Sequence, residues 1–242
     1  MINLISQEIF TEESTQQHNL GSLGVDEYGD RYRYVQAGAV ALVTGNLLQE
    51  AAEVTNFRSM AVDTAAAIGD SVVSVTLGGT AVTANQFQEG QLWVESAAGI
   101  GQQFRIKKHE VQTSTTGSCN FTLDRPLKIA LTTSSQVSVR KNAYDGVIQY
   151  PVTTQTGGAV GVALYAQTIA YYGWIKSGGD CPVLFDTGTN TSNEVTGIMP
   201  SAAVAGSVKP AAETDASPSY IGFAREVVSV DSTMGMVHLT ID

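Results

Sequence analysis

The 242-residue chain is poor in several things at once: it has two cysteines, six prolines and 15% charged residues, only 13 of them basic. Cys119 and Cys181 are too few for a disulfide framework in a chain this long. They can bridge once or stay as packed thiols, and the thiol form is the expectation. All six prolines lie after residue 125. The first half must therefore end its elements with Gly and Asn. With 13 basic against 23 acidic residues, net charge −10, phosphate neutralisation is weakly provided for. The balance argues against nucleic acid and against an anionic membrane surface. No apolar run reaches the roughly 18–20 residues that span a bilayer. Met1 to Phe10 lacks a basic n-region and a long apolar core, so it does not read as a signal peptide.

What is present is β-forming. Hydrophobic residues make up 43%, much of it Ala and Val, with 24 Gly and abundant Thr and Ser. That is the composition of a turn-rich β protein and is too apolar for wholesale disorder. The expected class is mainly β, with two small β-barrel or β-sandwich units, an extended N-terminal arm and one short helix.

Residues 1–36 read as the arm. Within it Tyr32 and Tyr34 share one strand face, and Arg31 and Arg33 the other. An arm folded back on its own body is the alternative. Residues 37–59 are Ala-rich and read as a short helical connector. Residues 60–142 read as a first β domain, with strands over 70–77, 91–95, 103–108, 118–123 and 136–140 separated by Gly turns. Residues 143–151 are a linker, and 152–242 a second β domain. There, strands are expected over 157–164, 204–208, 220–230 and 235–241, with polar loops over 186–195 and 209–219. No fixed-period repeat is visible, which argues against a solenoid or propeller.

The most informative stretch is Ala163 to Asp186. It sets Tyr165, Tyr171, Tyr172, Trp174 and Phe185 among small residues with almost no charge. Such residues build a packed β layer or a protein contact. Tyr165, Tyr171, Tyr172 and Trp174 are therefore expected in a core or at an oligomer interface. Tyr28, Arg31, Tyr32, Arg33 and Tyr34 are expected to form the contact surface of the arm.

Catalytic signatures are weak. His18, His109 and His238 lack partners at metal-ligand spacing. There is no Gly-x-Ser-x-Gly elbow and no P-loop. Gly157-Gly-Ala-Val-Gly161 has no phosphate-binding Lys. Asp26/Glu27 and Asp180/Asp186 are carboxylate pairs, and Asp186-Thr-Gly188 resembles an aspartic-protease triplet without a second copy; Asp180 and Asp186 read better as strand terminators. Asn120-Phe-Thr122 and Asn190-Thr-Ser192 match the glycosylation pattern by chance. The expectation is a protein with no enzymatic activity, no cofactor and no resident metal.

Several runs resemble structural proteins of tailed bacteriophages: Tyr28 to Gly38, Ala61 to Asp70 continuing through Gly90 to Val94, Tyr171 to Lys176, Ile221 to Glu226, and Gly235 to Leu239. The Gly-Ala run before a β unit and the Ile-Gly-x-Ala near the end are similar to capsid cement proteins. The resemblance covers most of the chain by texture rather than by a chemical motif. It implies a decoration protein on the outside of a virion, made in the host cytoplasm, with the major capsid protein as partner and a homotrimeric state. Alternatives are another virion component (the shell protein, a head fibre or a tail protein) or a carbohydrate-binding β module.

Overall fold

The computed structural model describes residues 2–153, 155–186, 195–211 and 219–242. It is mainly β, 42% strand against 3% helix, in barrel-like units: one closed five-strand barrel and one nearly closed six-strand barrel. The chain divides into unit 1, Met1–Ala52 with Ala143–Asp242, and unit 2, Glu53–Asn142. Unit 1 begins with β1 (Ile2–Asn3), β2 (Leu23–Val25), β3 (Arg31–Ala37) and β4 (Leu47–Gln49). Unit 2 holds β5 (Met60–Ala61), β6 (Val72–Thr76), β7 (Gln91–Ser96), β8 (Gln103–His109), β9 (Ser118–Leu123) and β10 (Gln136–Arg140). Unit 1 resumes with β11 (Asp145–Gln149), β12 (Ala159–Val162), β13 (Tyr172–Phe185), β14 (Gly197–Pro200), β15 (Val208–Pro210), β16 (Gly222–Ala224) and β17 (Thr233–Thr240).

Unit 2 follows its sequence pattern closely. Its sheet order is β5-β10-β7-β8-β9-β6. Alternate residues face one core: Val73 and Val75, Leu92 and Val94, Phe104 and Ile106, Cys119, Phe121 and Leu123, Val137 and Val139. Period-2 alternation works here because most of these strands bury one face only; in β10 the intervening Ser138 is buried as well. His109 sits within this core. Its Nε2 accepts the Phe87 N–H at 3.0 Å, and burial pushes its pKa down, so the ring is a neutral structural acceptor.

Unit 1 is organised by β13, which has 14 residues. Its first half, Tyr172 to Gly178, pairs antiparallel with β3. Its second half, Gly178 to Phe185, pairs antiparallel with β17. Two five-strand circuits share it. One runs β3-β11-β4-β12-β13 and the other β13-β17-β16-β14-β15. It also feeds all three cores of unit 1. Trp174 joins Leu4, Ile9, Tyr32 and Tyr34. Ile175 joins Val35, Leu42, Leu48 and Val147. Cys181, Val183 and Phe185 join Ile198, Val208, Val237 and Leu239.

Four expectations are corrected. Residues 1–36 are not an extended arm: β2 and β3 pair within unit 1, and Leu4 and Ile9 bury against Trp174. The folded-back alternative describes them. The span 37–59 is not helical. It contains β4 and a 3-10 turn, Thr55–Phe57, while the one α-helix among the described residues is Ser6–Ile9. Leu47 and Leu48 are both fully buried, so two-sided burial between β11 and β12 overrides local helix propensity. The expected linker 143–151 contains β11, which pairs with β3 and β4. The expected strand over 204–208 starts only at Val208. Residues 187–194 of one expected polar loop, with Asn190, and 212–218 of the other lie outside the described residues.

Both cysteines are free, and each is buried. Cys119 lies in the unit 2 core and Cys181 in a unit 1 core. Burial pushes their thiols up to about 11 and about 12 respectively. At neutral pH they are packed, protonated side chains rather than nucleophiles.

Candidate functional site

The two residue groups singled out in the sequence meet in one ladder. Trp174 lies opposite Tyr34, Lys176 opposite Tyr32 and Tyr172 opposite Gln36. Trp174 is 4% exposed. Its ring meets Tyr34 edge-on, with centroids 5.2 Å apart, and Tyr34 stacks on Tyr172 at 6.2 Å. His18 caps the pair, 5.1 Å from Tyr34 and 5.5 Å from Trp174. Nothing in the local pattern marks His18, because its partners lie 16 and 156 positions away. Tyr165, Tyr171 and Tyr172 are half-buried. The Tyr165 hydroxyl donates to the Thr11 carbonyl at 2.8 Å.

The supposed contact arm is dispersed by this packing. Tyr32 and Tyr34 are core residues. Their hydroxyls donate to Asp26 Oδ2 and Glu13 Oε2, each at 2.9 Å. Burial, reinforced by those carboxylates, pushes both phenols well above the ordinary tyrosine range. Tyr28, by contrast, is 83% exposed, and Arg31 is exposed as well. The alternation of the run is real, but aromatic rings inside and guanidiniums on the other face also describe a core strand.

Arg33 is held rather than offered. Its Nε and Nη2 donate to Asp242 Oδ2 and Oδ1 at 2.6 and 2.9 Å, and Nη1 donates to the Gly21 carbonyl at 2.8 Å. Its guanidinium also lies 5.8 Å from the Tyr144 ring centroid. Burial pushes the Asp242 carboxyl up, but hydrogen bonds from Arg33 and Ser177 with the two arginine charges outweigh it, and the net shift is down. A depressed folded pKa stabilises the fold above the ordinary carboxylate range, and that increment is lost as pH falls through the folded value. Asp242→Asn should therefore cost about 1–3 kcal/mol at neutral pH. The variant's denaturant midpoint should also fall less on acidification than that of the unaltered protein. Parallel pH profiles for the two proteins would disprove the role of the pair.

The carboxylates expected as pairs separate. Asp180 is in mid-strand rather than at a strand end, and Asp186 follows the end of β13. Six residues of strand put them roughly 20 Å apart. Asp180 instead accepts from His238 Nδ1 at 2.7 Å, with Arg225 Nε 3.5 Å away. Phe223 stacks on His238 at 5.0 Å. Asp186 accepts from the Ser201 hydroxyl. Asp26 organises a turn, accepting the Tyr28 and Asp30 N–H groups at 2.9 and 3.0 Å.

A cavity of about 220 Å³ opens beside the aromatic cluster, lined in part by Glu8, Glu13, His18, Tyr34 and Trp174. Small-molecule sites usually measure about 300–1,000 Å³. Tyr34 and Trp174 at its wall are almost fully buried and offer no open face on which a sugar could stack.

The outward faces are more distinctive. On the β13–β17 ladder, Pro182 lies opposite Met236 and Leu184 opposite Met234. Pro182, Met234 and Met236 are exposed and Leu184 half-exposed. This places an apolar outer face beside the Asp180–His238 pair. In unit 2, Ile68, Ile100 and Ile129 are likewise exposed. Sheets that bury one face usually show water a polar one.

No known relative matches. Comparison with protein-family models, curated proteins and solved structures finds nothing similar to this chain. Among the described residues, no helix is long and apolar enough to cross a membrane.

Proposed function

We propose that this chain is a virion structural protein that binds the outer surface of a phage capsid and stabilises it, acting by contact rather than by catalysis. The observation that carries the reading is the outward presentation of large apolar side chains, Met and Pro in unit 1 and Ile in unit 2, from sheets whose cores are already complete. Such groups raise solubility costs unless a partner covers them. The resemblance of residues 28–38, 61–94, 171–176 and 221–239 to phage structural proteins supplies the partner, the major capsid protein, and a homotrimeric state. Repetition of one weak contact over a lattice converts it into stable binding through avidity.

The carbohydrate-binding alternative needs Tyr171, Tyr172 and Trp174 exposed together, and the burial of Trp174 weighs against it. Another virion position, in a fibre or a tail, differs only in where the protein sits. Electron cryo-microscopy of virions that carry the chain tests both points. Density for both units at three-fold positions outside the shell is the expected result, with earlier thermal rupture of shells lacking the protein. Virions without the chain, or with it only in the tail, would overturn the decoration role.

A further inference from the structure

Three exposed isoleucines gather at one end of unit 2. Ala66 and Leu131 exchange backbone hydrogen bonds of 3.1 and 2.9 Å, and Leu127 accepts from Gly69 at 3.0 Å and donates to Asp70 at 2.8 Å, so Ile68 and Ile129 both lie between these two ties. Gln102 ties in the third. Its Nε2 donates to the Ile129 carbonyl at 3.0 Å, and its Oε1 accepts the Lys128 and Ile129 N–H groups at 2.9 and 3.1 Å. The turn bearing Ile100 is thereby fixed beside the other two, with Gly99 against Leu131. The three side chains are 68%, 65% and 52% exposed on a hydrogen-bonded frame. β-Branched tips on a rigid frame lose little entropy when a partner covers them.

Charge selects the partner. Unit 2 contains eight basic and seven acidic residues, whereas unit 1 contains five and sixteen. Unit 1 therefore carries a net −11 and unit 2 a net +1. An acidic surface would be repelled by unit 1 and accepted by unit 2. At the isoleucine end, Asp70 is turned onto the Ala67 N–H at 2.7 Å, and Asp124 lies 3.5 Å from Arg125. Lys128, beside Ile129, is exposed, and its ammonium makes no hydrogen bond or ion pair among the described residues.

We infer that the loop end carrying Ile68, Ile100 and Ile129 docks unit 2 onto a protein face that is apolar at its centre and acidic at its rim. This rests on the function proposed above, under which that face is the outside of the shell. It replaces residues 28–34 as the contact surface.

The test is co-sedimentation of the full chain with purified shells of the virus that encodes it, stripped of this protein. The triple variant Ile68→Ser/Ile100→Ser/Ile129→Ser should bind at least about a hundred-fold more weakly, as expected for loss of a central apolar anchor. Val40→Ser/Ile169→Ser, at exposed positions of unit 1, should bind like the unaltered protein. Lys128→Glu should weaken binding several-fold, most at low salt. Circular dichroism melts confirm that the triple variant folds; if it does not, the single Ile68→Ser and Ile129→Ser variants decide, each with about ten-fold loss expected. Equal binding by folded isoleucine variants would overturn the docking end alone. Failure of the unaltered protein to sediment with shells would overturn the shell reading, and the partner named here with it.

Discussion

Trp174→Ala should lower the stability of unit 1 by about 3–5 kcal/mol, the usual cost of removing a buried large aromatic. Trp174 is the cross-strand partner of Tyr34 and the centre of a cluster that also holds Leu4, Ile9 and Tyr32. Its removal leaves a void that Tyr34 cannot fill without breaking its hydrogen bond to Glu13. The N-terminal residues should loosen first, because Leu4 and Ile9 lose their main surface. Hydrogen exchange should show faster exchange at the Leu4 amide, bonded at 2.9 Å to the Val25 carbonyl. Trp93, in unit 2, remains as a fluorescent reporter of a core that contains none of these residues, and its transition should hardly move. A unit 1 midpoint shifted by less than the equivalent of about 1 kcal/mol would show that Trp174 is not structural, and would reopen a binding role for its ring.

Gly179→Ala is expected to cost about 3 kcal/mol or more, although it adds one methyl group. Two effects combine. Gly179 has φ +95°, where an L side chain is strained. A Cβ there would also fall within the van der Waals shell of Asp30 Oδ1. Asp30 pairs with the buried ammonium of Lys176, which lies 5.6 Å from the Tyr32 ring centroid. Displacing the carboxylate leaves that charge without its partner, the costly half of a buried ion pair. A double-mutant cycle with Asp30→Ala separates the two effects. The steric part should vanish in the Asp30→Ala background, so the double variant should be more stable than the sum of the singles by about 1 kcal/mol or more. Additivity within roughly 0.5 kcal/mol would assign the whole loss to the backbone and remove Asp30 from the account.

Both predictions fall on β13, and this strand shows how far the sequence could be read. Its weight of aromatics and glycines was legible as a packed β layer, and Trp174, Ile175, Cys181, Val183 and Phe185 are buried in it. Its double role was not. One 14-residue strand changes partner at Gly178, from β3 to β17, and the choice of partner depends on residues about 60 to 140 positions away. Unit 2 was legible nearly strand by strand, since apolar residues such as Phe104, Ile106 and Val137, Val139 alternate with polar neighbours and enter one core. β3 was legible as a strand from the alternation of Tyr32 and Tyr34 with Arg31 and Arg33, but its burial was not; β4 was missed outright, because Leu47, Leu48 and Gln49 are all buried. Val35 enters one core while Tyr34 enters another, and a strand buried on both faces has no polar side to betray it.

The sequence by itself determined the class of fold, the position of the unit 2 strands and the kind of residue that fills the cores. These follow from local periodicity and side-chain chemistry, which act over a few positions. Only the tertiary structure decided that the N-terminal residues belong to unit 1 and that Tyr32, Tyr34 and Arg33 are held inside it. It also decided that Ile68, Ile100 and Ile129, which no sequence pattern singles out, are exposed at the loop end of unit 2. Those outcomes depend on which distant strand each segment pairs with, and burial follows from the partner rather than from the residue.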